Sequence, residues 1–271
     1  MLVSVIIPIY NSEKTLTCSI ESVVKSIERV TNDYEIICID DGSTDNSLKL
    51  CNDFASYNKH IVVIHQENAG VATARNRGLE IAKGDFIAFN DSDDKWTENH
   101  VEFLMQGLNS NEEYCCISGN HDISTQRLFK SLNKIDNLYI ISLKNQLLKN
   151  YFSPQATMIK RCVIDSGIRF ENGMRYAEEG LFFNIITKAY KSVFVNEKVA
   201  ESILGKYKFG DGGLSGNLKE MEKGELYNIK YAYKKLGISF TFYLFAIFYS
   251  LIKYFRRIII VKIREIRGKN E

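Results

Sequence analysis

Short β-branched runs alternate with helical stripes through the first 120 residues, and that alternation constrains the fold more than any other feature of the chain. Val3 to Ile9 (VSVIIPI) reads as a buried strand. Asn11 or Ser12 can cap a helix whose apolar positions are Leu16, Ile20, Val23, Val24 and Ile27. Glu35 to Ile39 is a second strand, and the loop Asp40-Asp41-Gly42-Ser43-Thr44-Asp45 follows it. A helix then runs to about Tyr57, a strand covers Ile61 to Ile64, and a helix from Gly70 to Lys83 is broken by Gly84. Phe86 to Phe89 is a fourth strand, ending in Asn90-Asp91-Ser92-Asp93-Asp94, before a helix at 97–109 and a strand at 114–118. This order predicts βαβ units, a mostly parallel sheet and helices on both faces. Right-handed crossovers place the loops after the strands along one edge, where such sheets bind ligands.

Beyond residue 120 the pattern is less regular. Weak strands are expected near 138–142, 155–160, 192–196 and 202–208, and helices at 178–189 and 217–237, with a distinct tail from Ile238. With 271 residues, 45% apolar and 25% charged, the chain can bury a real core in one large domain plus an appendage. The expected division is a body over 1–215, split into a first half at 1–110 and a second at 111–215, then a helical extension over 216–271. Two prolines and 17 glycines exclude collagen-like and proline-rich classes. The net charge of +2 gives no ground for a nucleic-acid partner, but it is unevenly spread. Residues 229–271 hold ten Lys and Arg against two acidic residues, leaving the body at −6. Six cysteines without a C-x-x-C pair read as reduced core residues of a cytosolic protein, and Met1 to Tyr10 lacks the cationic start of a secretory signal.

The two acidic loops carry the chemistry. Carboxylates crowded at strand ends repel one another by roughly 4 kcal/mol per pair at ~4 Å in a surface-like dielectric. An oxygen-liganded Mg²⁺ or Mn²⁺, sharing its shell with substrate phosphates, is the economical compensation. The plainer reading makes these residues ordinary loop and cap residues, which three aspartates in four positions at 91–94 argue against. An EF-hand starting at Asp91 would need glycine where Trp96 stands. No G-x-x-x-x-G-K-[ST] occurs, and Gly210-Asp211-Gly212-Gly213 does not open a helix after a strand.

Four blocks together resemble glycosyltransferase family 2, which has the GT-A fold. They are Val5-Ile6-Ile7-Pro8-Ile9-Tyr10-Asn11; Asp40 to Asp45; Asn68-Ala69-Gly70 with Ala74-Arg75-Asn76-Arg77-Gly78; and Asp91 to Asp94, in the family's order over residues 3–110. The resemblance implies that Pro8, Tyr10 and Asn11 line a nucleotide base pocket. It makes Asp41 the acceptor for a pyrimidine N3–H with Asp40 supporting its loop, and Arg75 an arginine at the donor. Asp91 and Asp93 become the D-x-D that meets ribose and metal, with Asp93 the direct ligand. An inverting transfer also needs a carboxylate base. The family carries an E-D pair there, and this chain has Glu178-Glu179, so Glu179 is the expected base and Glu178 its fallback. Two first-turn glutamates favoured by a helix dipole are the plainer alternative. Lys206, Lys208 and Ser215 match the family's phosphate-side residues, with Lys208 standing for a usual arginine, and Gly210 to Gly216 could close over the donor. His60, His65, His100 and His121 show no metal-ligand spacing, and Trp96 packs either beside the sugar or in the core.

Ile238 to Ile252 is 15 residues without charge, followed by Lys253, Arg256, Arg257, Lys262, Arg264, Arg267 and Lys269. This is short of the ~20 residues a spanning helix needs, and aromatics beside cations suit a helix lying in the interface of an anionic membrane. Packing on the body or on a second copy is the alternative. The combined expectation is a metal-dependent inverting transferase using a nucleotide diphosphate sugar, UDP first, on a glycan or lipid-linked acceptor in bacterial surface polysaccharide assembly. It would sit peripherally on the inner face of the cell membrane, with homo-oligomer formation left open. A nucleotidyltransferase and a non-catalytic sugar-nucleotide- or glycan-binding protein are the rival classes.

Overall fold

Val3, Val5, Ile7 and Ile9 share one buried cluster and Ile6 belongs to another, so the first strand is covered on both faces. That is the period-2 signature of a strand inside a layered α/β sheet. A computed structural model describes residues 1–121, 132–205 and 216–267, with side chains to 264. In chain order the elements are β1 (Val3–Ile9), α1 (Leu16–Glu28), β2 (Tyr34–Asp41), α2 (Ser47–Tyr57), β3 (Ile61–Gln66), α3 (Val71–Ile81), β4 (Phe86–Phe89), β5 (Asp94–Trp96), α4 (His100–Asn109) and β6 (Tyr114–His121). They continue with β7 (Lys134–Ile135), β8 (Leu138–Ile141), α5 (Leu143–Leu148), β9 (Thr157–Lys160), α6 (Arg161–Asp165), α7 (Glu178–Ala189), β10 (Lys191–Ser202), α8 (Leu218–Lys235) and α9 (Phe240–Arg267).

Among the described residues one sheet runs β3-β2-β1-β4-β9-β6-β10-β8-β7, with β5 paired to β10. The half built from β1 to β4 is parallel, and β6 lies parallel to β10. Antiparallel β9 joins the two parts. One core cluster gathers residues of α1, α2 and α4, the other those of α3, α6 and α7. Helix α3 lies close on β1: a Cβ on Gly78 would stand 2.4 Å from Ile6 Cγ2. Strand order reverses where β1 meets β4, the place where open α/β sheets form a ligand crevice. Pairing of β1 with β4 ends at Ile6 opposite Phe89, whereas pairing with β2 continues to Ile9. Pro8 therefore falls beyond the β4 ladder, where its missing N–H costs no bond on that side.

Two sequence expectations change. The runs at 192–196 and 202–208 are not two strands: β10 is continuous to Ser202, with register shifts against β6 after Phe194 that interrupt the alternation, and 206–208 lie outside the described residues. The helix after β1 begins at Leu16 with Thr15 before it, so neither Asn11 nor Ser12 caps it. Helices α8 and α9 form a hairpin whose core takes Leu143 and Leu147 of α5 with Ile229, Ala232, Leu236, Ile238 and Ala246.

Candidate functional site

The crevice floor is a set of loops tied to one another by short side chains. Asn11, at φ +50°, accepts from Thr44 N at 2.8 Å and donates its own N–H to Ser43 Oγ at 3.0 Å. Ser12 joins three loops, donating its N–H to Ser47 Oγ at 2.8 Å and meeting Ser92 Oγ at 2.7 Å. The loops after β1, β2 and β4 are therefore one assembly, with Tyr10 exposed at its rim.

Asp41 is 4% exposed and held by neutral donors. Its Oδ1 accepts from Gln66 Nε2 at 2.7 Å and Ala69 N at 2.8 Å, and its Oδ2 from Gly70 N at 2.9 Å. One lone-pair site on Oδ2 is left for a further donor. Asp40, fully buried, takes His65 Nδ1 at 2.7 Å on Oδ2, while its Oδ1 has no partner among the described residues. His65, which the sequence marks as structural or exposed, is the half-exposed partner of Asp40.

The second acidic loop is compensated by a full charge. Arg75, with a side chain only 4% exposed, meets Asp91 Oδ1 at 2.7 Å and Glu178 Oε1 at 3.1 Å, and its guanidinium lies 5.3 Å from the Phe170 ring centre. Burial would lower its pKa, but Asp91 and Glu178 raise it above the ordinary arginine value, so it stays charged. Asp93 follows Asp91 in a turn closed by Asp94 N to Asp91 O at 3.0 Å. Asp94 is pushed up to about 6, mainly by burial, and pairs with His121 Nε2 at 3.1 Å.

Glu178 and Glu179 open α7 behind Ala177, which holds a left-handed φ of +58°. A non-glycine residue there costs roughly 1–2 kcal/mol and needs outside support. The two carboxylates part ways. Glu178 is buried and committed to Arg75. Glu179 accepts instead from a neutral amide, Asn150 Nδ2, at 3.1 Å. Burial first, then the Glu178 charge, push Glu179 up to about 8, against the opposing pull of Arg75. A carboxylate that binds and releases a proton near neutrality suits general-base work.

Of the residues singled out from sequence, the structure brings Arg75, Asp91, Glu178 and Glu179 together and places Pro8, Tyr10, Asn11, Asp40 and Asp41 on the neighbouring strand ends. Lys206, Lys208, Ser215 and most of the glycine loop lie outside the described residues. Trp96 belongs to the core: its ring stacks on His100 at 3.7 Å and its Nε1 donates to Gln155 O. His100 is itself buried and held neutral, its pKa lowered to about 3. Four cysteines are buried, but Cys18 and Cys162 are exposed, so not all six are core residues. Sequence reasoning missed Asn150, and the ion pair of Arg75 with Glu178, 103 residues away, carries no local signal. As for a metal, no group of three or more His, Cys, Asp or Glu converges on one point among the described residues. Asp91 and Asp93 supply hard oxygen donors only, which fits an ion that completes its shell with substrate phosphate rather than one caged by protein.

The family model described as Glycosyl transferase family 2 matches residues 4–167. Glycosyltransferase GlyG of Streptococcus pneumoniae is 32% identical over 212 residues, 73% of this chain and 69% of that protein. Minor teichoic acid biosynthesis protein GgaA of Bacillus subtilis is 32% identical over 194 residues, 67% of this chain but 42% of GgaA, so the chain spans less than half of that relative. Among solved structures, S. aureus TarS 1–349 in complex with UDP-GlcNAc superposes at TM-score 0.69 with 20% identity over 91% of this chain and 70% of that one. The mannosyltransferase PcManGT from Pyrobaculum calidifontis with GDP-Man and Mn²⁺ gives 0.67, with 14% identity over 92% and 73%. At such identities the likeness is one of fold.

Proposed function

The chain belongs to glycosyl transferase family 2 and has the GT-A fold, and from that premise we propose an inverting, metal-dependent transfer of a sugar from a nucleotide diphosphate, UDP first, to an acceptor hydroxyl. One observation carries the reading: Arg75 bridges Asp91, on the donor side, to Glu178, the neighbour of the base. Donor loop and base turn are thereby held in one frame, which a transfer needs and a binding module does not. In this reading residues 1–110 hold the nucleotide sugar, 111–215 receive the acceptor and 216–271 form the helical extension. Asp41 offers its remaining lone pair to the base, with Asp40 fixing the loop, while Pro8, Tyr10 and Asn11 form the wall. Glu179 takes the acceptor hydroxyl proton as oxygen attacks the anomeric carbon and the diphosphate departs. A Mn²⁺ or Mg²⁺ held by Asp93 and Asp91 supplies Lewis-acid stabilisation of the departing diphosphate when bound. Lys208 is retained as a phosphate-side residue on sequence alone. The teichoic-acid relative supports a glycan or lipid-linked acceptor in surface-polymer assembly.

No helix among the described residues is long and apolar enough to cross a membrane. Helix α9 instead exposes Leu244, Phe245, Phe248, Ile252, Phe255, Ile259 and Ile263. Lys253 and Arg257 turn inward to Glu225, at 3.1 and 2.5 Å, while Arg256 and Lys262 face out. Residues 226–264 contain no acidic side chain, so a second copy seated on this face would oppose like charges. That favours an anionic lipid surface and peripheral attachment at the inner membrane face.

A panel of UDP-, GDP- and CMP-sugars with Mn²⁺, Mg²⁺ or EDTA tests the reading. Released nucleotide, metal dependence and inverted anomeric configuration by proton NMR are expected for one donor. Failure to turn over or bind any donor sinks it, and formation of the nucleoside triphosphate from a donor when pyrophosphate is added favours the nucleotidyltransferase. Donor binding without turnover favours the binding-protein class. Full-length chain that ignores anionic vesicles removes α9 as an anchor.

A further inference from the structure

Helix α8 lies against the turn that aims the carboxylate pair, at backbone distance. Asn228 Nδ2 donates to Ala177 O at 2.9 Å, and Asn228 itself is 5% exposed. Two glycines clear the way. A Cβ on Gly224 would meet Tyr176 O at 2.6 Å and the Ala177 Cβ at 2.9 Å, and one on Gly180 would stand 2.9 Å from Asn228 Nδ2. The carbonyl that Asn228 grips belongs to the one left-handed residue of this turn, whose strain requires a hold from outside the helix. On the other flank Asn76 fixes the chain just upstream, donating to Phe170 O and Asn172 Oδ1, both at 2.8 Å. Asn76 follows Arg75, so the segment from 170 to 177 is clamped between α3 and α8.

We infer that Asn228 is a positioning residue for the transfer, and that α8, with Gly224 and Gly180 as its contact points, is the brace that sets where Glu178 and Glu179 point. This rests on the reading of Glu179 as base, but its geometric content does not. Without the Asn228 tether, Ala177 relaxes to a right-handed conformation, the first turn of α7 re-enters at another angle, and the split between the two glutamates is lost. Glu178 then slips from Arg75 and Glu179 opens to water. The groups that bear on Glu179 are Glu178 on its own helix, Arg75 from α3, Asp91 from the loop after β4 and the amide of Asn150 after α5.

The test reads the carboxyl itself. Full-length, metal-free protein carrying ¹³C at its Glu side-chain carboxyls is titrated by NMR, with the Glu179 signal assigned by its loss in Glu179→Gln. The wild-type midpoint is expected at about 8. Asn228→Leu, with the same branching but without a donor, is expected to lower it by about one pH unit as Glu179 becomes solvated. Gly224→Ala pushes on the same turn from the opposite cause and is expected to move it the same way. For a donor that turns over, the acid limb of kcat/KM moves with that midpoint while donor KM stays within about twofold. A mere loss of folded protein would scale the profile without moving it. An unchanged midpoint in either variant that circular dichroism shows folded overturns the inference. A wild type that turns over no donor overturns the glycosyl-transfer reading and leaves the titration decisive for the brace.

Discussion

Two carboxylate groups sit at the same sheet edge and are stabilised in opposite ways. Asp41 is held by dipoles: the Gln66 amide and the N–H groups of Ala69 and Gly70, all within one βαβ unit. Asp91 and Glu178 are held by one guanidinium, which joins residues 16 and 103 positions apart in the chain. The first arrangement is local, neutral and part of the scaffold. The second is long-range, charged and shared between the two halves of the site. The difference alters the argument for a metal. Crowding alone does not demand one, because amides answer it at the first loop and Arg75 at the second. What still calls for a divalent ion is the diphosphate, which brings charge that neither arrangement is equipped to take.

Arg75→Met breaks the comparison at its strongest point. It leaves the buried Glu178 and the partly exposed Asp91 without the cation between them, and removing one partner of a buried pair such as Arg75–Glu178 costs about 3–5 kcal/mol. Thermal denaturation is expected to show that loss at neutral pH. Donor turnover falls beyond detection. An Arg75→Met variant as stable as wild type would mean that Arg75 holds nothing together.

Glu179→Gln acts on the carboxylate left out of the Arg75 pairing. Turnover is expected to drop by about 10²–10⁴-fold, the usual worth of a general base, with donor KM unchanged. Glu178→Gln, by contrast, is expected to raise KM and lower stability together, because Glu178 anchors Arg75. Equal kinetic losses in the two variants would erase the division between them.

How much of this is legible in the sequence follows the same divide. The β1–β4 half and its acidic loops are readable because their signals are local: a strand of period 2, a helix of period 3.6, aspartates directly after a strand. What escapes depends on distance or on short elements. Asn150, just after α5, and Asn228, on α8, reach the base turn from elements that sequence pattern does not relate to it. Helix α5 has six residues and a Ser142–Asn145 capping box, too brief to show periodicity and hidden behind the strand expected to 142. Trp96 next to the acidic loop has the look of a sugar platform; only the stacking on His100 reveals it as core. The basic tail reads as one cationic surface, yet Lys253 and Arg257 are spent on Glu225, a pairing no local pattern announces.

Asp41→Asn probes the locally held carboxylate. An amide NH₂ must then face a backbone N–H, so a buried donor loses its acceptor at a cost of about 1–3 kcal/mol. The expected kinetic signature is a donor KM raised about tenfold, equivalent to ~1.4 kcal/mol, with kcat changed much less. Selective loss of kcat would move Asp41 from binding to chemistry.

The smallest effect has the opposite sign and separates the two arrangements most cleanly. Glu179 has its folded-state pKa raised from 4.5 to about 8. The folded protein therefore holds that proton more tightly than the unfolded chain does. Its contribution is fully present below the ordinary glutamate range and is lost progressively as pH climbs to about 8. Glutamine has no proton to lose, so Glu179→Gln and wild type should melt together near pH 4 and diverge above pH 5. By pH 9 the variant should be the more stable of the two, even though it is nearly inactive. Other titrating groups, Asp94 among them, are common to both proteins and cancel in the difference. Replacing Asp41 lowers stability because its charge is well served; replacing Glu179 raises it because its charge is kept poorly solvated for chemistry. Melting curves for the two variants across that pH range would show either opposite signs or one shared sign, and a shared sign would mean that the two loops are compensated alike.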